Sequence, residues 1–280
     1  MQTQQKIVDF LYAVPHFMET PTERDFTFDA TVAFARDNYV IPFTLVSCYL
    51  MFCFFGVKHM RTTTPFDLRL PLAAWSGGLS LFSFIGMIKT VPFLLARIIE
   101  ASFENTICEN PGLNWGKGPT GFWVMCFIFS KVPELIDTVF IVLRKKPLIF
   151  LHWYHHVTVL LYCWDAYSTM AASGLYFVAM NYSVHAFMYG YYCLTSLRMC
   201  PKWFPTILIT ASQITQMFVG TGVCISSWYF VYKNGDGGCN NQQSNLIAGG
   251  IMYGSYLYLF VDFAIGRYLK KPAAKAKKVQ

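Results

Sequence analysis

Long runs of apolar residues, separated by short polar segments, fill most of the chain. About twenty consecutive apolar residues form a helix that crosses the roughly 30 Å hydrocarbon core of a bilayer. The runs predict seven such helices, at residues 39–58, 70–91, 119–143, 148–165, 171–194, 204–231 and 246–267. The sequence therefore predicts an all-α membrane protein with seven transmembrane helices. We divide it into an N-terminal tail (1–38), a seven-span domain (39–267) and a basic C-terminal tail (268–280).

The composition supports this interpretation. Of the 280 residues, 55% are hydrophobic and only 13% are charged, whereas a soluble domain carries about 25% charged residues. The N-terminal segment lacks the basic start and apolar core of a secretory signal peptide, so the first span is expected to direct membrane insertion. Much of the formal net charge of +7 comes from the C-terminal tail, which is typical of contact with anionic lipid and not of nucleic-acid binding.

The distribution of basic residues predicts the orientation of the spans. Lys and Arg favour the cytosolic side of a membrane, and most of the 22 lie on the side of the C-terminus if seven spans alternate. We therefore expect a lumenal N-terminus and a cytosolic C-terminus. The chain ends in Lys277-Lys278-Val279-Gln280, which resembles a retrieval signal of the endoplasmic reticulum, although a plain basic tail is an alternative. Together these features predict a multi-pass protein of that membrane.

Charged side chains inside the third span require an explanation. A charge at the bilayer centre costs about 2.5–3.5 kcal/mol on insertion scales. Lys131, Glu134, Asp137 and Thr138 lie on one side of a helix at spacings of three and four residues. This spacing permits ion pairing within the helix. A structural charge cluster and the lining of a cavity are therefore both compatible with the pattern.

Histidines and other polar residues at helical spacing follow in the next spans. His152, His155 and His156 of the fourth span share one helical face. The later spans add Asn181, His185 and Tyr189 in the fifth, Gln213 and Gln216 in the sixth, and Tyr253, Ser255 and Tyr256 in the seventh. Four histidines from two spans joined by a short loop indicate an active site, although a non-enzymatic seven-span receptor or channel is an alternative.

Three chemistries could use these histidines. A di-iron oxygenase would need more ligands than the six histidines of the chain supply, because His16 and His59 lie away from the cluster. A single zinc ion with an open water position would suit hydrolysis, but the close spacing would strain its coordination. Metal-free acyl transfer would use a neutral imidazole as nucleophile. Spacing alone leaves zinc hydrolysis and acyl transfer both open.

Four motifs resemble those of the very-long-chain fatty acid elongase family, the membrane 3-ketoacyl-CoA synthases. They are KVPELIDT (131–138), HWYHH (152–156), NYSVHAFMY (181–189) and TASQITQ (210–216). They occur in the order of the family, and the resemblance covers residues 36–268. Leu148 and Trp153 resemble the branch of this family that elongates saturated and monounsaturated acyl chains.

The resemblance implies a fold and a reaction. Six helices would form a barrel around a narrow tunnel that is closed toward the lumen, with the first helix peripheral. A long-chain acyl-CoA would condense with malonyl-CoA to give a 3-ketoacyl-CoA, with release of CO2 and CoA. No cofactor or metal is expected beyond the two substrates. Membrane lipid and the reductases and dehydratase of an elongation cycle are the expected partners. Whether the chain forms a homodimer, and which chain length it prefers, stays open.

The resemblance also implies roles for individual residues. His155 would be the nucleophile and His185 its partner, and the side chains that orient them or stabilise an enolate would be His152, His156 and Asn181. The residues expected to bind substrate are Lys131, Glu134, Asp137, Tyr189, Gln213, Gln216, Arg144, Lys145 and Lys146. The last three would border the tunnel mouth, where cations suit the phosphates of CoA. Ordinary positive-inside charge is the alternative for these three.

Two of the nine cysteines are candidates for a disulfide. Only Cys108 and Cys239 fall in predicted lumenal loops, after the second and sixth spans. Because the lumen of the endoplasmic reticulum is oxidising, we expect these two to form a disulfide with each other. Two unpaired loop thiols are the alternative.

Overall fold

The apolar segments fold into helices in a computed structural model that describes residues 2–201, 203–235 and 237–269. Within these ranges the chain has twelve α-helices and no β-strand, so the all-α prediction is confirmed. The helices are α1 Gln2–Ala13, α2 Pro21–Arg24, α3 Asp29–Asp37, α4 Val40–Met60, α5 Arg69–Glu100, α6 Phe103–Cys108, α7 Gly118–Ser130, α8 Ile136–Leu143, α9 Phe150–Ser168, α10 Gly174–Ser196, α11 Ile207–Asn234 and α12 Gln243–Ala264. The predicted di-lysine signal lies outside the described residues, as does the basic tail from residue 270 onward.

Four helices of the described ranges are long and apolar enough to cross a membrane. They are Val40–Met60, Arg69–Glu100, Ile207–Asn234 and Gln243–Leu269, and they match the predicted first, second, sixth and seventh spans. Helices α9 and α10 have 19 and 23 residues and carry the histidines of the candidate site. Such polar side chains require neighbouring helices, and not lipid, on the face that bears them.

The third predicted span is interrupted and is not one continuous helix. Helix α7 ends at Ser130, a short 3-10 turn covers Pro133–Leu135, and α8 begins at Ile136. Proline has no backbone N–H, and its ring clashes with the carbonyl four residues earlier, so an α-helix breaks or kinks there. The expectation of a single helix over 119–143 is therefore corrected at this point.

The N-terminal segment folds against the body of the protein. Thr20 and Glu23 form a reciprocal capping box at the start of α2, which satisfies two backbone N–H groups. The buried Lys89 of α5 donates from Nζ to the carbonyl oxygen of Pro15 at 2.9 Å and lies 3.4 Å from Oε1 of Glu23. Trp123 Nε1 donates to the same carboxylate oxygen at 2.6 Å. These bonds connect the segment to α5 and α7.

Each long helix packs on specific neighbours. Helix α5 packs on α10 and α7, α10 on α11, α11 on α12, α12 on α9, and α9 on α7. Helix α4 packs on α8 and α9. Glycine allows close approach at two of these contacts, because a Cβ at Gly86 would overlap the ring of Tyr182 and one at Gly220 would overlap the ring of Tyr253.

A disulfide joins Cys108 and Cys239, whose Cα atoms lie 4.3 Å apart. This is the pair that the sequence analysis expected. The backbone N–H of Asn240 donates to the carbonyl oxygen of Cys108 at 2.9 Å, and that of Ala172 donates to the carbonyl oxygen of Asn240 at 3.0 Å. The segment after α11 is thereby bound both to α6 and to the loop that follows α9. The other seven cysteines also lie within the described ranges and are free there.

Candidate active site

Helix α9 brings its three histidines together on one face. The ring centroids of His152 and His156 lie 4.5 Å apart, and those of His155 and His156 lie 5.5 Å apart. The spacing of four residues places His152 and His156 on one helical face, and His155 adjoins His156 along the chain and meets its ring edge-on. The three rings therefore form a contiguous imidazole surface.

His152 is held by a hydroxyl from a neighbouring helix. Its Nε2 lies 2.9 Å from Oγ1 of Thr138, and that oxygen lies 2.8 Å from the hydroxyl of Tyr49. Tyr49 belongs to α4 and is only 5% exposed. Sequence reasoning missed it, because a single tyrosine in an apolar span carries no motif. His156 is also buried, and its Nδ1 has no hydrogen-bond partner in the part of the chain that the structure describes.

His155 differs from His152 in having no side-chain hydrogen bond to its ring within the described ranges, and from His156 in being only half-buried. No side-chain hydrogen bond to its ring is present among residues 2–201, 203–235 and 237–269, and the ring is half-buried. The ring centroid of Tyr256 lies 5.1 Å from that of His155, and the Tyr256 hydroxyl donates to the His155 carbonyl oxygen at 3.1 Å. Helix α12 therefore fixes the backbone of His155 and leaves both ring nitrogens available.

On α10, His185 belongs to a buried polar chain. Its Nε2 lies 3.2 Å from Nδ2 of Asn181, and Oδ1 of Asn181 accepts from Nζ of Lys131 at 3.3 Å. The same Nζ donates to both carboxylate oxygens of Glu134, at 2.7 and 3.0 Å, and Ser130 donates to Oε1 at 2.9 Å. The charged atoms of Lys131 and Glu134, which were expected to bind substrate, are thus engaged by each other and by protein groups.

A second set of polar contacts reaches the ring of His185 through Tyr189. Asp137 accepts from Nε1 of Trp75 at 2.7 Å and from the hydroxyl of Tyr189 at 2.5 Å. The ring of Tyr189 meets that of His185 edge-on at a centroid distance of 5.2 Å. Trp75 was missed by sequence reasoning, because nothing in its local sequence distinguishes it from a lipid-facing tryptophan. Asp137 therefore acts on His185 through Tyr189.

The remaining predicted substrate ligands lie in two other places. Gln213 donates from Nε2 to the sulfur of Met188 at 3.2 Å, and Gln216 is buried in α11. The basic loop between α8 and α9 contains Arg144, Lys145 and Lys146, and its two lysines are exposed.

Lys145 adopts a φ of 53° and donates from Nζ to the carbonyl oxygen of Thr63 at 2.9 Å. This bond ties the basic loop to the segment that follows α4. In the described part of the chain, none of the three bases pairs with a carboxylate. Nor is any group of three or more His, Cys, Asp or Glu side chains there arranged to hold a metal ion.

Comparison with known proteins places these features in a family. Residues 34–276 match the GNS1/SUR4 family (ELO). The chain is 39% identical over 260 residues to very long chain fatty acid elongase 6 of Gallus gallus, which covers 92% of this chain and 95% of that protein. It is 38% identical over 261 residues to elongase 6 of Mus musculus, with the same coverage. With very long chain fatty acid elongase 4 of Trypanosoma cruzi (strain CL Brener) it shares 41% identity over 244 residues, 86% of this chain and 84% of that one. The chain therefore belongs to the GNS1/SUR4 family, the family of the very long chain fatty acid elongases.

Proposed function

We propose that this protein is the condensing enzyme of fatty acid elongation, a 3-ketoacyl-CoA synthase that joins a long-chain acyl-CoA to malonyl-CoA. The observation that carries the proposal is the half-buried imidazole of His155, which is free of hydrogen bonds in the described part of the chain and lies beside the rings of His156 and Tyr256. Similarity to named elongases supports the substrate class. Such an imidazole is suited to nucleophilic catalysis.

The reaction proceeds in two stages. A ring nitrogen of His155 attacks the thioester carbonyl carbon of the acyl-CoA, the carbon–sulfur bond breaks, and CoA leaves as a thiolate. Malonyl-CoA then loses CO2 and becomes an enolate. The enolate carbon attacks the acyl-imidazole, the carbon–nitrogen bond breaks, and His155 is regenerated. One proton taken up by the CoA thiolate balances the reaction, which yields 3-ketoacyl-CoA, CO2 and CoA.

The acyl chain would occupy a tunnel inside a barrel of six helices. The packing order α7, α9, α12, α11, α10 and α5 returns to α7, which supports a closed ring with α4 outside it. The basic loop precedes α9, and the disulfide segment is bound to the loop that follows α9. These two features thus lie at opposite ends of this helix. We assign the basic end to the cytosol, where it receives the phosphates of CoA, and the disulfide end to the lumen of the endoplasmic reticulum.

The acyl groups are proposed to be saturated or monounsaturated. The 3-keto product requires a reductase, a dehydratase and a second reductase as neighbouring activities.

To test the function, purified protein is incubated with carboxyl-labelled malonyl-CoA and a panel of acyl-CoAs. We expect labelled CO2 and 3-ketoacyl-CoA in equal amounts, both dependent on the acyl-CoA. Hydrolysis of acyl-CoA without carbon–carbon bond formation would overturn the proposal.

A second arm of this experiment separates acyl transfer from zinc hydrolysis. Exhaustive chelation should leave the rate of condensation unchanged, because the imidazole itself is the proposed nucleophile. Loss of activity that tracks a stoichiometric zinc or iron signal, with recovery on readdition, would contradict the metal-free mechanism.

A further inference from the structure

Asn181 bridges a lysine and a histidine in the buried interior. Its Oδ1 lies 3.3 Å from Nζ of Lys131, and its Nδ2 lies 3.2 Å from Nε2 of His185. All three residues are buried, with 7%, 2% and 8% of the surface of Asn181, Lys131 and His185 exposed. At such depth two donors or two acceptors placed against each other are unfavourable, because each polar group left unmatched costs about 1–3 kcal/mol.

The donor groups of Lys131 determine the orientation of the Asn181 amide, and so the direction of its hydrogen bonds. A lysine ammonium has three donors and no acceptor, and Glu134 pairs with it at 2.7 Å. The amide of Asn181 must therefore present its carbonyl oxygen to Lys131. An amide turned by 180° would place its NH2 group against the ammonium. The NH2 group consequently faces His185, and this conclusion does not depend on distinguishing nitrogen from oxygen by position.

A donor facing Nε2 determines which tautomer His185 adopts. A neutral imidazole has one protonated nitrogen and one acceptor nitrogen. Because Nδ2 of Asn181 donates to Nε2, the proton of the ring is on Nδ1. An imidazolium would bring an N–H of the ring against an N–H of the amide, so the neutral form fits this contact. Within the described ranges, Nδ1 has no hydrogen-bond partner of its own, which leaves its N–H available.

We propose, on the basis of the condensing function proposed above, that Lys131 and Asn181 are positioning residues that fix His185 as the Nδ1–H tautomer. His185 then supplies an N–H donor to the thioester oxygen of malonyl-CoA, where negative charge develops as CO2 leaves. Its Nε2 is occupied, so His185 is neither the nucleophile nor a base acting through that atom. The edge-on contact with Tyr189, which Asp137 holds, fixes the plane of the ring.

The tautomer can be read directly, without turnover. Protein labelled with 15N in the imidazoles is reconstituted in lipid nanodiscs, and the histidine ring nitrogens are observed by NMR. The His185→Gln variant identifies the signals of His185. We expect a protonated Nδ1 and an unprotonated, acceptor-type Nε2. A wild-type spectrum with the proton on Nε2 would overturn the proposal, whether or not any variant folds.

The Asn181→Asp variant reverses the direction of the hydrogen bond between residue 181 and His185. Its carboxylate still accepts from Lys131 but can no longer donate, so the proton of His185 should move to Nε2. Loss of one donor to a developing oxyanion lowers kcat by about 10²- to 10³-fold, and we expect that loss here. The matched control is Ser183→Ala on the same helix, whose hydroxyl only donates to the carbonyl oxygen of Ala179 at 2.8 Å. This control should change neither the tautomer nor kcat.

The two measurements separate this inference from the proposed function. A tautomer that stays on Nδ1 in Asn181→Asp, or a kcat that stays at the wild-type value, would overturn the positioning role even if the enzyme condenses acyl-CoA normally. Conversely, the expected tautomer in a protein that makes no 3-ketoacyl-CoA would sink the condensing function and retain the hydrogen-bond assignment. The shift of the proton together with the loss of kcat supports both.

Discussion

The two helices that carry the histidines hold them in different ways. On α10, His185 is contacted through its Nε2 by Asn181 and across its ring by Tyr189. Asn181 is anchored by Lys131, and Tyr189 by Asp137. Each residue that contacts His185 is therefore itself held by an ionisable side chain in the interior, Lys131 or Asp137.

On α9 the histidines mostly contact one another. His152 bonds a single hydroxyl, Oγ1 of Thr138, and Nδ1 of the buried His156 has no partner within the described ranges. His155 makes no side-chain hydrogen bond there. The rings are packed at 4.5 and 5.5 Å but are less constrained by polar neighbours than His185 is.

The difference matches two kinds of catalytic task. A group that stabilises developing charge works best when its dipole is already fixed, because no reorganisation is then needed during the reaction. A nucleophile must instead form a covalent bond with a free lone pair, and a strong hydrogen bond to that lone pair would have to be broken first. The rigid half of the site, formed by His185 of α10 and its polar neighbours, thus suits a donor. The half on α9, where the ring of His155 makes no hydrogen bond within the described ranges, suits the nucleophile.

The sharpest test of this contrast is His155→Ala. If His155 is the nucleophile, condensation should fall by roughly 10⁴- to 10⁶-fold, the range known for removal of members of an acyl-transfer catalytic unit. Release of labelled CO2 measures the loss, and mass spectrometry of wild type with acyl-CoA alone should show an acyl adduct on His155. The control is His59→Ala, an exposed position at the end of α4. Full activity in His155→Ala, or an adduct on His185, would reverse the two roles.

The rigid half depends on a buried ion pair, which the Lys131→Met variant breaks. Glu134 would be left buried without its partner, and breaking such a pair by removing one member costs about 3–5 kcal/mol. The double variant Lys131→Met/Glu134→Leu removes both charges and should recover most of that stability. It should not recover activity, because Asn181 still lacks its anchor. Thermal unfolding and kcat, measured in the same detergent, distinguish the two effects, and recovery of both together would show that the pair is only structural.

Local sequence patterns explain which parts of this site were predictable. Apolar runs and the spacings of three and four are local properties, so they identified both histidine helices and the polar face at Lys131 to Thr138. The break at Pro133 is also encoded locally, because proline interrupts an α-helix, but the apolar pattern of residues 119–143 continues across it. Tyr49 and Trp75 could not be identified, because they join the site only where α4 and α5 pack beside α8. The orientation of Asn181 likewise depends on Lys131, which is 50 residues away.

The disulfide should matter for stability and not for chemistry. The two cysteines are separated by 131 residues, and the chain-entropy model gives about 4.7 kcal/mol for a loop of about 100 residues, with measured losses of 2–5 kcal/mol in small secreted domains. We expect Cys108→Ser/Cys239→Ser to unfold at a clearly lower temperature, with kcat at the wild-type value below that transition. Cys48→Ser, an exposed free cysteine, is the matched control. An unchanged unfolding temperature would mean that the bridge does not form or contributes nothing.

We expect the smallest effects on kcat from removing a single hydroxyl, that of Tyr49 beside the α9 histidines or that of Tyr189 on α10. In Tyr49→Phe, Thr138 loses one partner but keeps His152, so the loss should be that of an ordinary hydrogen bond, about 0.5–1.5 kcal/mol. If all of it acted on the transition state, kcat would fall about two- to tenfold.

Tyr189→Phe removes a donor from the half-buried carboxyl group of Asp137, which costs about 1–3 kcal/mol, and it also releases the ring that packs on His185. We therefore expect Tyr189→Phe to lower kcat more than Tyr49→Phe, with KM nearly constant in both, because the Tyr49 hydroxyl is bonded to Thr138 and the Tyr189 hydroxyl to Asp137. Tyr229→Phe, on an exposed face of α11, serves as the control. Equal losses in the two variants, or a larger loss in Tyr49→Phe, would mean that α9 is constrained as tightly as α10 and that the division between a fixed donor and a free nucleophile is wrong.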